Sequence, residues 1–520
     1  MTDISRRDFV RTGLAGSAVL AAWDTALLGP ALAADAPKRG GTLSYAQLSA
    51  NRRSASLGNS RHPYFIVDAN TRIQWNCLTW VNPNLGWELE LASKVEPSDE
   101  RLNVWNVTVR EGVTFHNGRE VTAADVASSF DYHRREAPFA RQIVKIEPIS
   151  KYVAQFTLDS GNSEFPYILA EYNSVIMPAG DLATIGMDGI GTGPFKIVAS
   201  DPNRSLVMER YDGYWRKGFP YLDRLEIHNR EGQQESALNG LRAGQFDAVL
   251  NIDARAAAQL QNDPAFDIES AKGGYSFVVQ LPKHPGSPFL DKRVRQALAF
   301  AIDREAIVRI AYGGKFGWVG NDSHLMVTDP AFVPRPGGRD VARAKRLLAE
   351  AGYPNGFELV LGSPNDRYIN DEKVAQAVAQ MLARIGIKTS VDSMTASTFF
   401  TRRNKWEFSA YLAGWGADTG ELSNSLVALV ATFDPQTGFG NTNRGRYSNK
   451  AMDDVVRKAL ATIDDKAREA LLQQAARMVQ EDYGIIPLHF EVTPWAFRKG
   501  LSYVPRVDQY TLAFEVKPTP

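Results

Sequence analysis

Apolar residues recur every three to four positions in three segments near the middle of the chain, as on the buried face of a helix. These segments predict helices over residues 291–302, 340–352 and 374–386, and Asp291 and Asp340 can cap the first two. Short strand-like segments precede and separate them. The predicted strands are residues 42–45, 102–109, 357–361 and 387–391. Helices that alternate with strands in this way predict an α/β fold.

Further helical patterns extend this prediction toward both ends of the chain. Thr122 to Asp125 form a helix-start box, and Val126 and Phe130 lie on one face of the helix that follows. Near the C-terminal end, residues 452–460 and 467–479 predict two more helices. The linkers between predicted elements are short, so we expect domains that pack together.

The first 33 residues have the pattern of an export signal. Ser5-Arg6-Arg7-Asp8-Phe9 resembles a twin-arginine signal, small and apolar residues fill 13–23, and Ala31-Leu32-Ala33 is an A-x-A cleavage pattern. The apolar run is too short to span a bilayer comfortably. We therefore expect a twin-arginine signal peptide over residues 1–33 and a soluble periplasmic protein, exported already folded. An amphipathic N-terminal helix is the alternative.

Composition excludes some classes of partner. The 520 residues suggest two to four domains. Lys+Arg and Asp+Glu number 59 each, so the basic excess of a nucleic-acid-binding surface is missing and we expect no nucleic-acid partner. Cys77 is the only cysteine, which rules out an intrachain disulfide, and its apolar surroundings predict a buried side chain.

The sequence gives no support to catalytic, metal or cofactor sites. There is no phosphate-binding G-x-x-x-x-G-K-[ST] motif, no G-x-S-x-G motif and no H-E-x-x-H motif. The glycine-rich segment 189–194 ends in proline and forms no dinucleotide fingerprint, and no two of the seven histidines stand four residues apart. We expect a protein that is not an enzyme, with no cofactor, metal or catalytic residue.

Six groups of residues resemble, in the same order, the motifs of one protein family. They are residues 39–43; 109–118 with 121–126; 191–195 with 211–215 and 241–247; 288–298 with 301–304; 344–353; and 414–418 with 447–449. Each motif is weak by itself, but chance does not explain all six in the family's order. On these motifs the chain resembles the extracellular solute-binding proteins of family 5, the class that includes dipeptide-, oligopeptide-, opine- and nickel-binding proteins.

The resemblance implies a two-lobed α/β clamshell, the periplasmic-binding-protein fold, with an additional inserted subdomain. It implies a first lobe made of residues 34–65, 189–273 and 496–520, an inserted subdomain over 66–188 and a second lobe over 274–495. The ligand would lie in the cleft between the lobes, which would close about a linker that includes Gly273 and Gly274. We expect a monomer that delivers a small solute to the permease subunits of an ABC importer.

Three residues are candidate ligand contacts. Asp418 follows the strand-like segment 408–412, and the resemblance implies that this aspartate holds the ligand's free amino group. Trp415 would add an apolar wall. The alternative makes Trp415 a core residue and Asp418 the cap of the next helix. Tyr45, at the end of the first strand, is a weaker cleft candidate for which core packing is the alternative.

The chain also departs from the family pattern near the segments that line the family's cleft. The departures lie at residues 51–80, at 81–87, at 279–281 and after Asp418. They leave the ligand open: a short peptide or a similar amine-bearing compound, or a non-peptide solute such as a sugar or an opine. A sensor that feeds a receptor and a hydrolase on an unfamiliar scaffold are the other classes considered.

Overall fold

The computed structural model describes most of the chain after residue 38. It describes residues 39–48, 72–83, 86–136, 140–171, 174–180, 189–201, 204–230, 233–313, 317–319, 338–368, 370–416, 422–506, 508 and 511–519. The predicted signal peptide over 1–33 lies outside these residues, and so does Asp418.

Strands and helices alternate along the described chain. The strands are β1 (Thr42–Gln47), β2 (Thr79–Val81), β3 (Trp87–Leu89), β4 (Ala92–Pro97), β5 (Val104–Val109), β6 (Ile143–Pro148), β7 (Val153–Leu158), β8 (Phe195–Asp201), β9 (Ser205–Arg210), β10 (Arg224–Asn229), β11 (Ala248–Leu250), β12 (Phe266–Gln280), β13 (Gly317–Val319), β14 (Glu358–Pro364), β15 (Lys388–Met394), β16 (Ala410–Gly416), β17 (Ile486–Arg498), β18 (Leu501–Ser502) and β19 (Lys517–Pro518). The α-helices are α1 (Ala123–Glu136), α2 (Phe165–Ile168), α3 (Gln234–Arg242), α4 (Ala254–Leu260), α5 (Lys292–Ala301), α6 (Arg304–Tyr312), α7 (Val341–Glu350), α8 (Asp371–Ala383), α9 (Ala396–Asn404), α10 (Leu422–Ser425), α11 (Lys450–Leu460) and α12 (Asp465–Asp482).

The predicted helix caps are present. The Asp291 carboxylate accepts the Arg293 N–H at the start of α5, and the Asp340 carboxylate accepts the Arg343 N–H at the start of α7. At the start of α1, the Asp125 carboxylate accepts hydrogen bonds from both the backbone N–H and the hydroxyl of Thr122. These bonds satisfy N–H groups that a helix cannot satisfy by itself, so the helix starts predicted from the sequence are confirmed.

One large mixed sheet runs through the molecule. Its strand order is β15-β14-β16-β12-β17-β11-β1-β10-β9-β8, and β13 also pairs with β17. We call β1 and β8–β11, together with the adjoining parts of β12 and β17, the first lobe. We call β14–β16 and their helices the second lobe. The strands β12 and β17 are long, with 15 and 13 residues, and belong to both lobes.

A separate four-stranded antiparallel sheet, in the order β4-β5-β7-β6, forms the inserted subdomain together with α1. Alternate residues of β5 and β7 are buried, which gives this sheet one core face and one polar face. The buried Arg506 donates to the backbone carbonyl of Val81, and the Tyr211 hydroxyl hydrogen-bonds that of Thr114, so this subdomain is anchored to the first lobe.

Cys77 is fully buried, as predicted, and burial raises the pKa of its thiol above the usual range. Among the helices that the structure describes, none combines the length and the apolar character that crossing a membrane requires. The domain limits given above remain predictions; the four-stranded sheet falls within the range 66–188.

Candidate functional site

The register between β12 and β17 breaks where the two lobes meet. Lys272 lies opposite Val492 and Ser276 lies opposite Phe490, so three residues of β12 face the single residue Glu491 of β17. The break contains Gly273 and Gly274, the two glycines of the predicted linker. A strand with unpaired residues and no Cβ at two of them bends more easily than a continuous ladder.

Strands of both lobes end at this break. β11 runs antiparallel to β17, and the N–H of Ile252, just beyond β11, donates to the Pro494 carbonyl. From the other side, β16 runs along β12 until Gly416 lies opposite Tyr275. The carboxyl ends of the parallel strands in the two lobes therefore face each other across the break. Ligands of open α/β sheets bind at such ends, so this is the candidate site.

The edge of the first lobe is formed by the carboxyl ends of β1, β10 and β11. These three strands are parallel, and Gln47 at the end of β1 lies between Asn229 of β10 and Leu250 of β11. Asn251 follows directly and has a left-handed backbone with φ 59°. Three amide side chains thus follow one another along this edge.

The edge of the second lobe is formed by the carboxyl ends of β14, β15 and β16, and hydrogen bonds tie these ends together. The Asp366 carboxylate accepts the Ala396 N–H at 2.7 Å, which joins the loop after β14 to the start of α9. The Tyr368 hydroxyl accepts the Gly414 N–H at 3.2 Å. The loop after β14 is therefore held against the end of β16.

The buried carboxylate of Asp371 fixes the conformation of this loop by hydrogen bonds. It accepts the backbone N–H groups of Arg367, Tyr368 and Glu372. Burial raises the pKa of Asp371 to about 6, against the opposing effect of those three hydrogen bonds. Asp371 therefore positions the loop and is not itself exposed in the cleft.

Arg367 is a candidate ligand contact that the sequence analysis missed. Its guanidinium lies 4.9 Å from the ring centre of Tyr368, and its Nε is buried without a hydrogen-bond partner in the described part of the chain. No ion pair in the described part of the chain involves Arg367. A loop arginine after a predicted strand has no periodicity to mark it, so only the position after the segment 357–361 could have suggested it.

Of the three predicted site residues, the structure describes Trp415 and Tyr45, and it places them in different lobes. Trp415 is half-buried near the end of β16; its indole N–H donates to Asn424 at 2.9 Å, and its ring packs against an apolar cluster of the second lobe. Asp418 lies outside the described residues. Tyr45 is 1% exposed in the core of the first lobe, and burial raises the pKa of its hydroxyl above the usual range. The alternative interpretation of Tyr45, core packing, predicts such an environment.

Comparisons with known proteins agree with this geometry. The model of the bacterial extracellular solute-binding proteins, family 5, matches residues 87–436. The chain belongs to this family. It is therefore a periplasmic or extracellular solute-binding component of an ABC importer, and it has no enzymatic role.

Relatives with known names cover most of the chain. The glutathione-binding proteins GsiB of Salmonella paratyphi A and Escherichia coli O1:K1 are each 28% identical over 430 residues, which cover 79% of this chain and 82% of theirs. The structure is similar to that of AgaA from A. tumefaciens R10 in complex with agropinic acid, with a TM-score of 0.80, 23% identity and coverage of 92% of this chain and 99% of AgaA.

It is also similar to the periplasmic binding protein DppA from Helicobacter pylori in complex with the peptide STSA. The TM-score is 0.79 at 22% identity, covering 93% of this chain and 99% of DppA. These two structures confirm the two-lobed α/β fold of the family 5 protein described here.

Proposed function

We propose that the protein captures a short peptide or a peptide-like, amine-bearing solute in the cleft between its lobes and delivers it to permease subunits in the inner membrane. The observation that carries the proposal is the guanidinium of Arg367, which has no carboxylate partner among the described residues and lies on the edge where β16 ends. Asp418 follows Gly416, the last residue of β16, by two residues. The segments that follow β14 and β16 in the sequence thus contain an arginine and an aspartate, which suit a ligand that carries both a carboxylate and an ammonium group.

Asp418 is the proposed anchor of the amino group. An ammonium offers a charge and three donors, which a carboxylate shielded from water can satisfy. Trp415 would form the apolar wall beside it, since its ring is already fixed by the bond to Asn424. The GsiB relatives are named for binding glutathione, a peptide-like compound with a free amino group, which supports this ligand class.

The other parts of the proposal concern the molecule as a whole. It acts as a monomer, its lobes close about the register break at Gly273 and Gly274, and Arg6 and Arg7 direct it through the twin-arginine pathway. The lobe limits are those expected from the sequence, with a first lobe at 34–65, 189–273 and 496–520, an insertion at 66–188 and a second lobe at 274–495.

Calorimetry on an Asp418→Ala variant tests the proposal. Loss of one partner from a buried ion pair costs roughly 3–5 kcal/mol, which is over a hundredfold in affinity. We expect wild-type protein to bind glutathione or short peptides and the variant to bind them at least a hundredfold more weakly. Asp454→Ala is the matched control, because Asp454 is an exposed carboxylate on α11.

Two outcomes would contradict the proposal in different ways. Unchanged affinity in a well-folded Asp418→Ala protein would leave Asp418 as a helix cap. Wild-type protein that binds no peptide would move the ligand to sugars, opines or another non-peptide solute.

A further inference from the structure

Two buried amide oxygens on the first-lobe edge have no hydrogen-bond partner within the described chain. They are Oε1 of Gln47 and Oδ1 of Asn251. Gln47 is only 3% exposed. An acceptor that is removed from water and left unpaired costs about 1–3 kcal/mol, so such groups are rare in folded proteins and call for an explanation.

The two residues are neighbours across the sheet. Gln47 is the last residue of β1 and lies opposite Leu250, and Asn251 is the next residue in the chain. The backbone carbonyl of Gln47 accepts the Arg230 N–H at 2.9 Å, so the main chain at the end of β1 is paired while the side-chain oxygen is not. The left-handed φ of 59° at Asn251 is a conformation that asparagine tolerates better than most residues.

The position of these oxygens indicates what would satisfy them. Both lie at the carboxyl ends of parallel strands, which face the end of β16 in the second lobe across the register break. Both are neutral acceptors, so they suit neutral N–H donors rather than a second charged group. A ligand held at Arg367 on the facing edge would extend across the break and present its amide N–H groups to these oxygens.

We propose that Gln47 and Asn251 form an acceptor pair on the first lobe that binds amide N–H groups of the ligand. This inference rests on the proposed function and adds a determinant of specificity on the first lobe. The pair selects ligands with amide N–H donors over the corresponding esters, which lack the donor.

The test combines calorimetry on two variants with a modified ligand. Gln47→Met removes the amide at similar volume, and Asn251→Gly removes it while keeping the left-handed backbone. Each variant is expected to bind glutathione or trialanine about tenfold more weakly than wild type. The modified ligands are trialanine analogues in which an ester oxygen replaces one amide N–H at a time. Wild type should bind the analogue that lacks the contacted N–H about tenfold more weakly than trialanine. The Gln47→Met or Asn251→Gly variant, which lacks the acceptor for that N–H, should bind this analogue and trialanine with equal affinity.

Thermal unfolding gives a second readout that does not depend on the ligand. Removing an unpaired buried acceptor is expected to raise the unfolding midpoint of ligand-free protein, or leave it unchanged, in the variants that bind more weakly. A residue with a merely structural role would lower it. The control is Ser200→Ala, whose hydroxyl is also buried without a partner in the described chain but lies on β8, three strands from β1.

The outcomes separate this inference from the proposed function. Wild type that binds these peptides with the same affinity as both variants would overturn the acceptor pair and leave the proposed function intact. Wild type that binds none of the peptides would overturn the proposed function and the inference with it.

Discussion

The backbone N–H of Ser163 donates a 2.8 Å hydrogen bond to the backbone carbonyl of Leu460. Ser163 precedes α2 in the inserted subdomain, and Leu460 is the last residue of α11 in the second lobe, whose carbonyl the helix itself leaves unpaired. Next to this bond, the Glu164 carboxylate and the Arg468 guanidinium lie 4.0 Å apart, and both are buried. Because the inserted subdomain is anchored to the first lobe, these contacts bridge the two halves of the clamshell.

We predict that Arg468→Met weakens ligand binding by destabilising the closed form. Opening about Gly273 and Gly274 would separate Glu164 from Arg468, so the pair favours closure. Scattering during titration with a peptide that calorimetry identifies should show compaction of wild type, and Arg468→Met should need about tenfold more ligand for the same compaction. Arg477→Met, an exposed arginine on the same helix, is the control. If Arg468→Met and wild type reach half-maximal compaction at the same ligand concentration, Arg468 does not favour the closed form. If the radius of gyration of wild type does not change with ligand, the protein is a rigid receptor.

Arg367→Met is predicted to abolish a preference for ligands with a free carboxylate. The guanidinium of Arg367 has no carboxylate partner in the described chain, so a ligand carboxylate would supply one. Calorimetry with a peptide and its C-terminal amide should show at least tenfold tighter binding of the free acid by wild type. The variant should bind both forms equally, while Arg384→Met, an exposed arginine after α8, should behave as wild type. A preference that survives in Arg367→Met would place the carboxylate elsewhere.

Export through the twin-arginine pathway predicts that replacing both Arg6 and Arg7 by lysine leaves precursor in the cytoplasm. The measurement is an immunoblot of cytoplasmic and periplasmic fractions with an antibody to the mature protein. Arg11→Lys, which changes an arginine outside the pair, should be exported normally. Normal amounts of mature protein in the periplasm of the double variant would contradict this route.

The pH dependence of stability should reveal the buried carboxyl of Glu90. Burial raises its pKa from the usual 4.5 to about 7, although the Arg72 charge and the hydrogen bonds from Cys77 and Asn76 oppose this. A raised pKa favours the protonated folded state, so the contribution of Glu90 to stability is complete below about pH 4.5 and is lost as the pH rises through 7. The difference amounts to roughly 3 kcal/mol.

Denaturant unfolding of wild type and Glu90→Gln between pH 4.5 and 8 measures this effect. The comparison with Glu90→Gln is needed because a second buried group changes stability in the opposite direction. Burial lowers the pKa of His133 to about 4, so the contribution of neutral His133 to stability is lost as the pH falls. The free-energy difference between wild type and variant should favour wild type increasingly toward acid pH. A constant difference across the range would mean that Glu90 does not titrate there.

The helices and their starts could be predicted because their causes are local. Asp291 and Asp340 cap helices that apolar periodicity already marked, and positive φ at Gly112 and Gly118 fits the turns that these glycines occupy. The family resemblance predicts a linker at Gly273 and Gly274, and the register break between β12 and β17 contains both glycines.

Contacts between distant segments were not accessible in this way. The buried Arg295 pairs with Asp482, 187 residues further along the chain, and no local pattern links the two. Gln47 lies two residues beyond the predicted strand 42–45, and polar residues are common at such positions. Its burial, and that of Arg367 Nε, depend on which strands meet at the register break, and a single sequence does not specify that.

Mass spectrometry of the solute released from protein purified after export in its own host tests the central claim most directly. We predict that denatured wild type releases a stoichiometric compound of peptide-like mass that reacts with an amine-specific reagent. The Asp418→Ala protein, purified in the same way, should release little or none of it. A released solute without an amino group, such as a neutral sugar, or equal amounts of an amine-bearing solute from both proteins, would contradict capture of an amine-bearing ligand anchored by Asp418.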